Sequence, residues 1–462
     1  MAWAPGVRNL VLAAVAAVVT SAGAVAVLMS PDDTTRKITG TNDAAPGLGW
    51  SIEAAAIYGA SAAEFRDPVG GTEFDYAGLG FIDGGDTLVT VIGVADHDVM
   101  TVGDPKLYGF DAATGATKWE APAAGLGGCA GEPVGGMLVC HTGFSAQDSA
   151  LIGFDIADGT VTRTPLDWSV FALAATGDRL YIAEGDVESD DVRVHSGSIA
   201  DPDAHWTRPF AMGTSWEDLP WDALDVTHGQ GVFTLGAEVA GFDLRTGEPT
   251  WTARLDGCSH TTPAVDALVV RTDTMCGEHA AGTTDLFDRT GRTLVSTDRP
   301  GAQAVTFDRP ADTTPILLGD AAYDRRDGSL RWTSPDLLYT TPDGSAVDTT
   351  AIAVLGDIAL LHDPVAATMS GLDLRTGNLR WRTPYDRHGT IHDWDNGPAV
   401  FTDANGIYAL DPATGDIVWD TPFRAIDADP DALAADGELT ATGDGRYVFA
   451  SARTMIGLRP LD

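Results

Sequence analysis

Basic residues are scarce. Lysine occurs three times in 462 residues, at Lys37, Lys106 and Lys118. Together 28 Lys and Arg face 67 Asp and Glu, a formal net charge of −39. A phosphate backbone is met by basic patches, so this balance excludes a nucleic-acid partner. Cysteine is scarce as well: Cys129, Cys140, Cys258 and Cys276 are the four present, and no two are adjacent. No Cys precedes residue 129, which leaves no N-terminal cysteine to carry a lipid. There is no Gly-x-Ser-x-Gly elbow and no phosphate-binding Gly-x-x-x-x-Gly-Lys-Ser/Thr loop, so neither serine-hydrolase nor nucleotide chemistry has its usual signature. What is plentiful is glycine, with 53 residues, and hydrophobic residues, at 44%. The chain can bury a core, and it has turns to spare.

One long uncharged run stands at the start. Asn9 to Met29 carries no charge over 21 residues. A bilayer-spanning helix needs about 20 apolar residues. Two outcomes fit this run. Ala22-Gly23-Ala24 and Ala24-Val25-Ala26 resemble signal-peptide cleavage sites, but both lie inside the apolar run. A secretory h-region spans about 7–15 residues, so the length favours an uncleaved signal-anchor. The expected organisation is a cytoplasmic segment 1–8, a transmembrane helix 9–29, a tether 30–47 and an exported domain 48–462. Localisation follows as a single-pass cell-membrane protein with its domain on the extracytoplasmic side.

That domain is written in copies. Gly109–Trp119 reads GFDAATGATKW, and Gly241–Trp251 reads GFDLRTGEPTW. Ala322–Trp332, Gly371–Trp381 and Ala409–Trp419 repeat the pattern. Gly153–Arg163 and Leu286–Ser296 keep the turn and lose the Trp, Ile199–Trp206 is degenerate, and Gly457–Pro460 is a partial copy. Nine copies recur about every 44 residues, which signals a solenoid or propeller. In each intact copy an alternating strand leads to Asp, whose carboxylate caps backbone N–H groups ahead of it. Gly four residues on supplies a positive φ. A second strand then carries Trp, completing a hairpin. The turn and packing residues are Asp111, Gly115 and Trp119; Asp243, Gly247 and Trp251; Asp373, Gly377 and Trp381; and Asp411, Gly415 and Trp419. With two further strand candidates upstream, each unit holds four strands, as a propeller blade does. An indole between blades buries about 200 Å². The final copy ends before any fourth strand, and Gly49-Trp50-Ser51-Ile52 reads as the orphan strand that would close the ring.

The pattern Ala-Leu-Asp-x-x-Thr-Gly-x-x-x-Trp at Ala409–Trp419 resembles the pyrroloquinoline-quinone (PQQ)-like β-propeller repeat, over about residues 48 to 462. The resemblance implies an all-β ring of four-stranded blades, with eight the family norm against nine copies here. The spacings from Asp288 to Asp324 and from Asp373 to Asp411 are short, so one unit is expected to be incomplete or merged. Some members of this superfamily are quinoprotein dehydrogenases of alcohols or sugars. Others are binding platforms, such as the lipoprotein subunit of the outer-membrane barrel assembly machinery. The enzymes typically hold PQQ against a disulfide of adjacent cysteines, beside a Ca²⁺ bound by Glu, Asn and Asp. No such residues align here, so neither cofactor is expected and no catalytic, cofactor-binding or metal residue is assigned.

Cys129 and Cys140 lie in one repeat, and Cys258 and Cys276 in another. An exported domain sits in an oxidising compartment, and pairings 129–140 and 258–276 would stitch neighbouring strands. The rival is zinc, because Cys258-Ser259-His260 and Cys276-Gly277-Glu278-His279 have loosely zinc-like spacing. Asp427 to Glu438 imitates an EF-hand loop but has Ala432 where the turn needs Gly. Glu184–Asp191 reads as an exposed acidic loop, and His388, His392, Asp393 and Asp395 as surface or packing residues around Trp394. The expected function is a membrane-anchored binding scaffold, monomeric and without catalysis, for a protein or envelope component of basic character. The alternative is a PQQ-dependent dehydrogenase.

Overall fold

A computed structural model describes the chain from Ala45 to Pro460, apart from residues 76–77, 97–99, 145, 147, 187–190, 213–221, 236–237, 255–258, 274–282, 299–304, 307–312, 343, 345–346, 388, 395–396, 427–432, 434–436 and 442–444. The transmembrane segment 9–29 and most of the tether lie outside the described residues. Among the described residues no helix is long and apolar enough to cross a membrane.

The architecture is an all-β propeller of nine blades. Blades are numbered here in chain order, and strands A to D run from the centre outward. Blade 1 comprises Ala63–Arg66 with Ile82–Asp83, then Thr87–Asp96, Thr101–Asp111 and Thr117–Pro122. Blade 2 comprises Leu126–Cys129, Met137–Thr142, Ala150–Asp155 and Val161–Pro165. Blades 3, 4, 5 and 8 are four-stranded meanders of the same kind. Every neighbouring pair within them is antiparallel.

Two blades depart from the pattern. Blade 6 has three described strands, Ile316–Leu318, Ala321–Tyr323 and Leu330–Thr333. It is the unit that follows the short spacing from Asp288 to Asp324. The segment Val305–Thr306 pairs parallel with Ala351–Leu355, on the inner edge of blade 7. Blade 9 is completed from the other end of the chain: Gly47–Glu53 pairs with Thr454–Arg459, from Gly47 opposite Arg459 to Glu53 opposite Thr454. The closing strand thus begins at Gly47, one residue inside the expected tether. An unclosed ring would leave two sheet edges unpaired, and this pairing removes them.

Burial follows from stacking. Inner strands are covered on both faces by neighbouring blades, so Thr87–Gly93 is buried without alternation. Outer strands return to alternation or exposure, as in Val161–Pro165. The core is a set of inter-blade layers. Phe171, Tyr181, Phe233 and Phe242 fill the one between blades 3 and 4. Trp50, Phe65, Phe110 and Met455 fill the closing seam between blades 9 and 1.

Two rims result. A–B and C–D hairpins share one, termed the turn rim, and the incoming chain joins it at Gly47. B–C hairpins and the crossovers from D to the next A share the other, the crossover rim.

Candidate functional site

The repeat residues lie on the turn rim and form a structural device. Asp111 Oδ1 accepts from Thr114 N at 2.9 Å and Thr114 Oγ1 at 2.7 Å. That hydroxyl, with the backbone N–H groups of Thr114 and Ala113, holds the Asp111 carboxyl below its ordinary range. Asp243 and Asp373 accept in the same way from Thr246 and Thr376, and Asp411 accepts from Ala413 N at 2.8 Å and Thr414 Oγ1 at 3.2 Å. Gly115, Gly247, Gly377 and Gly415 all have φ between +68° and +81°. Trp119, Trp251 and Trp381 each sit between two glycines. A Cβ on Gly109, in the neighbouring strand, would lie 2.2 Å from the Trp119 ring. On the far side, a Cβ on Gly159 in the turn of blade 2 would lie 2.7 Å from the same ring. Trp119 Nε1 donates to Ile156 O in that turn at 2.9 Å. Trp381 reaches Pro412 O of blade 8 at 2.8 Å, and Trp251 reaches Gln230 Oε1 at 3.4 Å. Trp419 meets Tyr447 instead, with centroids 5.5 Å apart.

Cys129 and Cys140 face each other on strands A and B of blade 2 and form a disulfide. Cys258 and Cys276 lie outside the described residues, as do Asp427–Asp431, His388 and Asp395. His392 bonds Thr402 Oγ1 at 2.7 Å, and burial pushes its imidazole down to about 4. Trp394 donates to Gly397 O. Glu438 opens strand A of blade 9 and approaches Asp67 of blade 1 across the seam. Burial first, then the Asp67 charge, pushes its carboxyl up to about 7. Among the described residues no three His, Cys, Asp or Glu side chains converge as metal ligands. The Cys129–Cys140 disulfide bridges two strands rather than adjacent residues.

The crossover rim differs in character. After Arg66 the chain leaves strand A of blade 1 and returns at Ile82. This excursion is fastened to blade 2: Thr72 N donates to Leu126 O at 2.8 Å, and Thr72 Oγ1 donates to Ala123 O. Glu73 Oε2 accepts from Phe144 N at 2.7 Å, and Asp75 N donates to Met100 O at 2.9 Å. Those bonds gather Phe74, Met100 and Phe144, which are 40%, 51% and 40% exposed. These exposed Phe and Met side chains, on segments tied together by hydrogen bonds, offer apolar surface of the kind used for recognition. Arg66 braces it from below, paired with Glu64 and Asp75.

Beside Phe144, a cleft of about 290 Å³ opens between the B–C loop of blade 2 and the crossover into blade 3. Phe144, Asp148, Asp167 and Trp168 line it. Behind Trp168 lies the buried His195 ring, centroids 4.1 Å apart and planes 4° apart. His195 Nδ1 bonds Asp203 Oδ1 at 2.6 Å, and Nε2 bonds Glu184 Oε2 at 2.9 Å. Sequence reasoning missed this set and placed Glu184 in a loop of no consequence. One signal was available: Trp168 stands five residues past Arg163, outside the repeat's own Trp position.

No curated protein matches the chain. Among solved structures it is similar to BamB from Moraxella catarrhalis, at 17% identity over 74% of this chain and 94% of that one, with a TM-score of 0.36. It is also similar to a quinohemoprotein alcohol dehydrogenase from Pseudomonas putida HK5, at 12% identity over 93% and 78%, TM-score 0.44. The designed protein Ika8 matches at 13% identity over 86% and 99%, TM-score 0.43. The family model described as outer membrane protein assembly factor BamB matches residues 71–217 and 206–421. With most of the chain under that match, and with the repeated Asp–Gly turns and stacked blades that carry it, the chain belongs to this family of PQQ-like β-propellers.

Proposed function

We propose that the propeller is an extracytoplasmic scaffold that binds a protein partner on its crossover rim, is anchored by residues 9–29, and performs no catalysis of its own. The observation that carries this reading is the gathered patch of Phe74, Met100 and Phe144. The segments that carry them are tied together on one rim, by Asp75 N donating to Met100 O and by Phe144 N donating to the Glu73 carboxylate. A family described as an assembly factor is in keeping with a binding role. The incoming chain joins the opposite rim, so the attachment does not compete with the patch. A net charge of −39 favours a basic partner and an association rate that falls with salt.

Proximity labelling of the exported domain, with mass spectrometry of the chain's amino terminus in the same sample, tests both halves. The expected result is a reproducible set of protein partners and an amino terminus that retains residues 9–29. Salt-insensitive association with those partners would count against the electrostatic part. PQQ- and Ca²⁺-dependent dye reduction with an alcohol or an aldose would overturn the absence of catalysis.

A further inference from the structure

We infer that the cleft between blades 2 and 3 is an arginine-reading pocket, and that the partner enters it with an arginine side chain flanked by apolar residues. This rests on the scaffold reading and names the chemistry of its contact. The cleft, at about 290 Å³, lies below the usual range of cofactor pockets but has room for one long side chain. Its two aromatic walls are Phe144 and Trp168, and its two exposed carboxylates are Asp148 and Asp167. A planar guanidinium satisfies both at once. It stacks on aromatic faces and forks two N–H donors towards a carboxylate, which an ammonium does not do.

The pocket is built in advance. Ala150 N donates to Thr142 Oγ1 at 3.0 Å, which closes the base of the B–C loop. Leu166 N donates to Ser149 O at 2.9 Å, tying the crossover to that loop. Trp168 is oriented by the buried His195, whose two ring nitrogens are both held by carboxylates. Little side-chain ordering remains when a ligand arrives. The Phe74 and Met100 patch continues from Phe144 and offers a surface for the apolar neighbours of the arginine.

The test is fluorescence polarisation of a dye-labelled peptide that alternates leucine with arginine, titrated with the full chain at 0.15 M salt. Counterparts alternate leucine with lysine and leucine with glutamate. Saturable binding of the arginine peptide is expected, weaker for lysine and absent for glutamate. The variant Asp148→Asn/Asp167→Asn should weaken it at least tenfold. Both positions are exposed, so the fold is not at risk, and an unchanged melting temperature checks this. Diffuse attraction to a chain of charge −39 would barely notice the loss of two charges. Equal binding by wild type and variant, or no saturable binding by wild type, overturns the pocket. If partners are still captured by proximity labelling in that event, the scaffold reading survives and this site alone is wrong.

Discussion

Trp50 and Gly115 make the sharpest mutational test of the ring. They belong to the two blades that meet at the closing seam: Trp50 lies on the strand that completes blade 9, and Gly115 lies in the turn of blade 1. Gly115 has φ +68°, and a Cβ there would lie 2.6 Å from Trp50 Cε3. Gly115→Ala therefore carries two penalties. The left-handed backbone costs about 1–2 kcal/mol in any background. Overpacking against the indole adds about 1–3 kcal/mol, and only while the indole is there. Trp50→Ala removes the ring and its Nε1 hydrogen bond to Ala112 O, for about 3–5 kcal/mol. The double variant should then be more stable than the sum of its parts by about 1–3 kcal/mol, the overpacking part returned. Urea titration followed by circular dichroism, on the four proteins of the cycle, measures this coupling. Trp381→Ala in blade 7 serves as the control partner, because its ring packs on Gly415 and not on Gly115. Additivity of Trp50→Ala with Gly115→Ala to within about 0.5 kcal/mol would refute the seam contact.

Two further outcomes follow from the same region and from blade 2. Glu438 is held protonated to about 7, above its unfolded value of 4.5, so the folded state binds the proton more tightly. Stability should therefore be full below about pH 4.5 and fall as pH rises towards 7. Glu438→Gln should flatten that fall and gain about 1–2 kcal/mol at pH 8, once the limiting value of about 3 is discounted for partial exposure. Melting temperatures from pH 4 to 8 read it, and parallel curves for the two proteins would count against it. Reducing Cys129–Cys140 frees a loop with a sequence separation of 11. That should cost about 2–3 kcal/mol in the loop-entropy model, and equal urea midpoints with and without reductant would contradict it.

How much of this was legible in sequence depends on how local the physics is. Asp111 meets Thr114 three residues away, and Gly115 follows at once. Such a turn is encoded in a few adjacent residues, and copying it makes the signal strong. The closing strand was legible for a similar reason, since Trp50 stood without a turn of its own. Asp67 and Glu438 were not legible as a pair, because only ring closure brings their strands together. Trp168 and His195 were not legible either. His195 occupies a strand whose copy of the repeat is degenerate, and its partners Glu184 and Asp203 come from opposite sides of it.

The indole contacts show that the repeated unit is an interface more than a blade. Six times a Trp of one blade packs against the turn glycine of the next: Trp50 on Gly115, Trp119 on Gly159, Trp206 on Gly247, Trp251 on Gly291, Trp332 on Gly377 and Trp381 on Gly415. The turn of blade n+1 is thus constrained by the Trp of blade n. Where Arg163 replaces the Trp in blade 2, the next copy, around Ile199, is the one that has lost its Asp and Gly. Ile199 points back instead, and a Cβ on Gly153 would lie 2.4 Å from its Cδ1. Where Ser296 replaces the Trp in blade 5, Gly328 in blade 6 persists for a different reason. A Cβ there would meet Leu294 O at 2.3 Å, so backbone takes the place of the indole. In blade 9, whose outer strand is supplied by Gly47–Glu53, Trp419 of blade 8 meets Tyr447 instead. The same rule accounts for the regular copies and the degenerate ones. The Trp168 cleft lies at the junction of blades 2 and 3, where the indole–glycine contact is missing, but on the crossover rim and not the turn rim.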